Sequence, residues 1–385
     1  MFDAISFNIQ NKLNPNTPIN MGHFVECLLF YGRVDIYGNK GILKQLLHYF
    51  GFENLMTLIE EEFINILYYR DHVGIITTNN LHDIGQFQLV ENNLDRDLYN
   101  IGKDFIYNPN FGRGKARKLY EKITLIKHNN KVIESTRNLI STNQDYVGQA
   151  SKAVLSNLIP NFAQNYPIES IAFNTFPSSQ GIQIVTNINF DTVNQIYHRN
   201  VPPSHSTITP SLILCHILDS ESDLHASMNS LSDMAASTIS SELTKLRLTD
   251  ILSKTQTNQN HLSNFQNMVF ANGHALQEAV NEEKVNLTDL MYVLRKSKKF
   301  KEWLRNKPPE TNLINEFYNS LKEQTFLDKM RNKALKWCVF TGLDAITYGS
   351  TNLMFSMLDG LYIDKVLAGW KPSHFIENDL RPIIK

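Results

Sequence analysis

Glu26-Cys-Leu-Leu-Phe-Tyr-Gly-Arg-Val-Asp-Ile-Tyr37 is the stretch on which the fold class turns. Its aromatic and β-branched residues run into Gly38-Asn39, the pattern of a strand entering a turn. Ile42, Leu43, Leu46, Leu47 and Phe50 follow at helical spacing, and Gly51 closes that helix. Leu55, Leu58 and Ile59 continue a second short helix into Glu60-Glu61-Glu62. Phe63–Tyr69 and Val73–Thr77 then read as two strands paired through a turn at Arg70-Asp71-His72. This order describes a small α+β module over residues 1–94.

Downstream the periodicity changes. Residues 95–162 read as helical, interrupted at Asn108-Pro109-Asn110 and at Gly112 and Gly114. Ile171–Phe176 and Gly181–Phe190 alternate as a strand pair around Pro177-Ser178-Ser179-Gln180. Pro202-Pro203-Ser204 reads as a linker or exposed loop, and everything after Pro210 reads as helix. The fold expected is therefore α+β: a small mixed α/β N-terminal part and a mainly α-helical C-terminal half ending in an apolar helical hairpin. Three units follow, residues 1–94, 95–200 and 201–385, the second combining helices with a strand pair.

Composition bounds what such a fold does. The chain has 385 residues, 42% hydrophobic and 19% charged, which is enough apolar material for a sizeable core. Its formal net charge of −1 supplies no global field for nucleic acid or an anionic membrane, so any such binding needs a local patch. Cys27, Cys215 and Cys338 sit apart in apolar runs, as buried thiols of a reducing compartment do. The first twenty residues have no basic region followed by an apolar core, which points to a cytoplasmic protein.

Two basic clusters are the candidate anion or membrane contacts. In Phe111-Gly-Arg-Gly-Lys-Ala-Arg-Lys118, Arg113, Lys115, Arg117 and Lys118 carry charge at the start of a helix whose glycines free the backbone. The glycine spacing is not that of a P-loop. It reads either as a solvated helix start or as a phosphate contact. In Arg295–Lys307, Leu290, Val293, Leu294, Ser297, Phe300 and Leu304 share one face, while Lys296, Lys298, Lys299 and Lys301 occupy the rest. Such a helix is a bundle surface, or lies on an anionic membrane or a phosphate backbone.

Catalytic signals are absent. There is no nucleophile elbow, no HExxH and no paired-carboxylate signature beyond chance. His216, Asp219, Glu221, Asp223 and His225 lie close together, and His216 and Asp219 have the spacing to share a helix face. A Ser-rich break before His225 makes this a helix cap or solvated turn. No metal site and no cofactor are expected.

Ala334–Leu358 carries only Lys336 and Asp344 as charges. The polar run Gly349-Ser-Thr-Asn352 beside Asp344 argues against a membrane span and for two buried helices joined by a turn. Trp337, Asp344, Leu353, Leu358 and Trp370 mark this expected hairpin. Lys299-Phe-Lys-Glu-Trp-Leu304 together with Gly369-Trp-Lys-Pro-Ser-His-Phe-Ile376 resembles the C-terminal quarter of a group of uncharacterised bacterial proteins. There, a Lys-Phe-x-x-Trp-Leu helix precedes an apolar hairpin and a Gly-Trp-x-Pro-x-x-Phe-Ile close. The resemblance implies a bacterial source and an accessory or phage-defence context, and brings no catalytic residues with it.

The functional expectation is a bacterial interaction or effector protein, recognising a protein partner through its N-terminal part, with its helical half responding, at the inner membrane in one version. A nucleic-acid-binding or nuclease-like enzyme using the basic segments is the alternative, and a scaffold subunit a third.

Overall fold

The computed structural model describes residues 3–8, 20–77, 84–104, 111–127, 130–166, 171–178, 181–202, 207–254, 279–305, 337–339, 379 and 381–384. Strand β1 (Ala4–Asn8) precedes helix α1 (Met21–Phe30), whose cap Asn20 accepts from the His23 N–H. After Gly32, β2 (Arg33–Gly38) turns at once into α2 (Lys40–Glu60), capped by Asn39. Only glycine fits position 38, because a Cβ there would lie 2.8 Å from Ile42. Within α2, Gly51 takes φ +69°, so the two helical runs seen in the sequence meet end to end at a kink.

The chain continues through β3 (Ile64–Tyr69), β4 (Asp71–Thr77) and β5 (Ile84–Glu91). Helices α3 (Leu94–Asp104) and α4 (Arg113–Lys122) lead to the short β6 (Thr124–Ile126). Next are α5 (Asn130–Thr142), α6 (Gln144–Leu158) and the single turn α7 (Phe162–Asn165). The hairpin β7 (Phe173–Ser178) and β8 (Gly181–Thr186) is followed by α8 (Phe190–Tyr197) and α9 (Pro210–Ser230). The last described elements are β9 (Asp233–Ala236), α10 (Thr238–Lys254), α11 (Leu287–Arg305), β10 (Trp337–Val339) and the short α12 (Arg381–Ile384).

Two sheets result. One is parallel, in the order β10-β9-β1-β2-β3-β6, and the other antiparallel, in the order β4-β5-β8-β7. On one face of the parallel sheet, Ile5, Val34, Ile36, Ile64 and Ile66 form a core with α1, α2, α3, α4 and α11. A second core lies under the antiparallel sheet, where Val73, Ile75, Ile182 and Ile184 meet Ile140, Val147, Val154, Leu214 and Leu243. Helix α9 spans both. Ile213, Leu214, Ile217 and Leu218 belong to the second core, whereas Ala226 packs on Tyr37 and Tyr69 of the parallel sheet.

The mixed α/β class holds, and the β7–β8 pair forms where its alternation places it. The parallel sheet draws strands from all three of the units read in the sequence. Several local expectations are corrected. Residues 26–30 are helical, not extended: a helix buried on every side shows no 3.6-residue alternation, so its apolar run mimics a strand. Strands β3 and β4 do not form a hairpin; Arg70 N–H bonds Ile126 C=O at 2.8 Å, and the chain passes from one sheet straight into the other. Residues 124–126 are strand, and the all-helical reading after Pro210 fails at β9 and β10, which are short parallel strands. Trp337 therefore opens a strand rather than a helix. Asp344, Leu353, Leu358 and Trp370, the rest of the expected hairpin, lie outside the described residues.

Candidate functional site

An antiparallel sheet of four strands has two outer edges, and each carries main-chain N–H and C=O groups that need partners. At the β4 edge, the Cys215 thiol bonds both groups of Ile75, accepting from its N–H and donating to its C=O, each at 3.3 Å. At the β7 edge, the Gln144 carboxamide accepts from the Thr175 N–H at 2.8 Å and donates to the Thr175 C=O at 2.6 Å. Pro177 on the same strand has no N–H to offer. Each outer edge is thus capped by a side chain at one position, Ile75 on β4 and Thr175 on β7.

A third edge stays open inside the sheet. Among the described residues, strand β8 pairs with β5 at Gly85↔Ile182 and Ile84↔Gln183, while β5 runs on to Glu91. Gly181 sets this limit: at φ +145° it turns the chain so close to β5 that a Cβ would sit 2.4 Å from the Gly85 C=O. In an antiparallel ladder, opposite residues point their main-chain groups either both toward or both away from each other. Ile75 points away, into Cys215, so its partner Phe87 also points away from β4, and Leu89, opposite Val73, does the same. Among the described residues, nothing bonds the main-chain groups of Phe87 and Leu89.

The space beside this edge is a groove of about 690 Å³ between β5 and α5. Helix α5 buries Val132, Ile133, Thr136, Leu139 and Ile140, which leaves Glu134, Arg137, Asn138 and Ser141 on the groove side. The Arg137 guanidinium lies 5.2 Å from the centre of the Phe87 ring, a stacking that fixes its position near the closed end. Pro177, Ser178 and Gly181 of the β7–β8 turn form that end. Leu89 and Val90, further along β5, are exposed and lie beyond the residues that line the groove. A main-chain edge, an apolar platform and one cation thus face a common channel.

The sequence-derived candidates distribute differently. Arg113, Arg117 and Lys118 are exposed on α4, and Arg113 and Arg117 line a cleft against α3. Lys115 turns away, pairing with Glu53 at 2.8 Å and lying over Phe52. On α11, Lys296 and Lys299 are exposed, but Lys298 is paired with Glu61 at 3.2 Å. Arg295 holds the same carboxylate at 3.0 Å. Burial alone would raise the Glu61 pKa, and the bonds from Lys298 and Arg295 outweigh it and bring it down. Lys301, expected on the solvated face, is 4% exposed and lies 4.3 Å from the Phe63 ring centre. The four lysines do not form one basic surface. Among the described residues, no helix is long and apolar enough to cross a membrane.

The acidic stretch on α9 is also corrected. The helix runs unbroken through residues 210–230, and Ser220–Asp223 is buried rather than a solvated turn. Glu221 accepts from Ser135 at 3.1 Å and pairs with Arg247 at 3.6 Å, Asp223 bonds Ser240, and Ser220 meets Thr244 at 3.3 Å. This polar seam ties α9 to α5 and α10. The imidazoles of His216 and His225 are pushed down by burial, which disfavours the charged form. Tyr37, bonded to Ser230, has its phenol raised to about 12 by burial. Among the described residues, no group of three His, Cys, Asp or Glu could hold a metal ion. Cys27 and Cys215 are buried thiols, and Cys338 lies in β10.

The groove residues Phe87, Glu134 and Arg137, and Leu89 beyond them on β5, were not among the sequence candidates. Their signal was present in Ile84-Gly-Gln-Phe-Gln-Leu-Val-Glu91, where Gln86 and Gln88 alternate with Phe87 and Leu89 as in a strand with two unlike faces. Comparison with protein-family models, curated proteins and solved structures found no match to the chain.

Proposed function

We propose that this is an interaction protein that captures an extended peptide segment of a partner by strand addition along β5. One observation carries the reading: the main-chain groups of Phe87 face a groove and those of Leu89 point to the same side of β5, while side chains cap the outer edges at Ile75 and Thr175. Strand addition uses main-chain hydrogen bonds for affinity and alternate side chains for selection. A strand laid beside β5 would extend the line of β8. It would bond Phe87 and Leu89, pass side chains over the Phe87 ring, and meet Arg137 and Glu134 on α5. This fits the partner-recognising role expected of the N-terminal part, and requires no catalytic centre.

The test is a random dodecapeptide library panned on the full chain and on Leu89→Pro. Proline deletes an N–H that points away from β4, on the side of the groove, and leaves the β4 ladder intact, since that N–H takes no part in it. Peptides enriched on the native chain should bind Leu89→Pro at least about tenfold more weakly, the loss of roughly one strand bond with its neighbours. Equal binding to both proteins would rule the groove out.

A further inference from the structure

We infer that the cleft between α3 and α4, apart from the β5 groove, is a binding site for a nucleoside phosphate. The cleft holds about 720 Å³, within the roughly 300–1,000 Å³ usual for small-ligand sites. Its cationic wall is Arg113 and Arg117, one helical turn apart on α4 and therefore on the same face. Two guanidiniums at that spacing match a phosphate group, each offering a planar pair of donors. Arg117 already meets Glu121 at 3.2 Å, but both side chains are largely exposed, and such pairs yield readily.

The opposite wall supplies aromatic surface in Tyr99 of α3, 47% exposed at the cleft, while Tyr120 lines it from the arginine helix and the buried Phe111 forms part of its floor. An exposed aromatic ring on which a base can stack, facing paired arginines, is the arrangement that holds a base and its phosphate together. Asp95, also in the wall, is an acceptor for a ribose hydroxyl or an exocyclic amine. Lys115 stays out, held by Glu53 and Phe52, which keeps the charge of the site concentrated on the two arginines.

The location agrees with the topology. Helix α4 feeds β6, which runs parallel to β3, so the first turn of α4 lies toward the carboxyl ends of the strands. The α3 wall is anchored there, because Tyr68 near the end of β3 donates its hydroxyl to Asp97. Ligands of open parallel sheets bind beyond those strand ends. The same chemistry is presented by a free mononucleotide and by a nucleotide within a single strand.

Calorimetric titration of the full chain with AMP, with a ten-residue oligoadenylate and with inorganic phosphate tests the inference and separates the two sources. AMP or the oligonucleotide should bind. The double variant Arg113→Ala/Arg117→Ala should weaken that binding at least about tenfold, Tyr99→Ala should weaken AMP more than phosphate, and Lys118→Ala should leave both unchanged. Tighter binding of the oligonucleotide assigns the site to single strands, and tighter binding of AMP to free nucleotide. The inference is overturned if neither binds, if the arginine pair is dispensable, if Lys118→Ala costs as much as the double variant, or if phosphate alone binds as tightly as AMP. These side chains are at the surface, and unchanged melting curves for the variants keep loss of fold out of the comparison.

Discussion

Gln144 and Thr175 are joined by two reciprocal hydrogen bonds, a carboxamide standing in for the next strand of the sheet. The pair shows how this chain treats a sheet edge: it spends a side chain from a neighbouring helix to close it. Cys215 does the same for Ile75. Against that practice, the uncovered length of β5 beside α5 stands out as a surface kept available.

Gln144→Ala should remove both bonds to Thr175 and destabilise the protein by about 1–2 kcal/mol. The variant should also self-associate as concentration rises, because an opened edge pairs with another chain. Urea denaturation and sedimentation at two concentrations measure the two effects separately. Unchanged stability would show that water satisfies Thr175 equally well.

Lys301 separates burial from charge. Lys301→Met keeps the long apolar stem over Phe63 and loses the ammonium on the ring, and should cost less than Lys301→Glu. Lys301→Glu places a carboxylate on the ring face in a buried site, and should lower stability by roughly 2–4 kcal/mol. Lys296→Glu and Lys299→Glu, both at exposed positions, should stay within about 0.5 kcal/mol. Equal effects of the three lysine-to-glutamate changes would restore the picture of a single solvated basic face.

Acid should weaken the fold through His216 and His225. Burial lowers both pKa values below the ordinary 6.5, although Asp219 opposes this at His216 and Glu221 at His225. The unfolded chain therefore takes up protons first as pH falls through about 6.5, and the folded chain takes them up only at its lower pKa. Stability contributed by the neutral imidazoles is complete above about pH 7.5 and is lost progressively between the unfolded and the folded pKa. The urea midpoint should fall between about pH 7.5 and pH 5.5, and His216→Gln/His225→Gln should flatten that slope. A slope unchanged in the double variant would assign the acid sensitivity elsewhere.

Much of the fold was legible where local pattern and tertiary role agree. Ile42 to Ile59 spelled two helices meeting at Gly51, and Gly181-Ile-Gln-Ile-Val-Thr186 spelled a strand. It was illegible where burial erased the pattern. His23–Phe30 is buried throughout, so its helix carries no polar stripe. Strands β6, β9 and β10 are three or four residues long, too short for any period to show, yet they complete the parallel sheet. Lys301 was legible and was misread: Leu290, Leu294, Ser297 and Lys301 follow one another by four, three and four residues, a single stripe that the structure buries. The alternation of Ile84–Glu91 marked β5 as a strand with two unlike faces, but the groove beside it could not be read from sequence. Its open edge depends on where β8 stops, and Gly181 sets that only once it meets Gly85 in space.

The central claim is that β5 accepts a strand at Phe87 and Leu89, and amide hydrogen exchange of the full chain tests it most directly. The measurement uses a saturating dodecapeptide selected on the native chain. The account predicts that the Phe87 and Leu89 amides slow at least about tenfold, while Gln86 and Gln88, whose N–H groups already face β4, stay as they were. Unchanged exchange at Phe87 and Leu89 with the peptide demonstrably bound would contradict it.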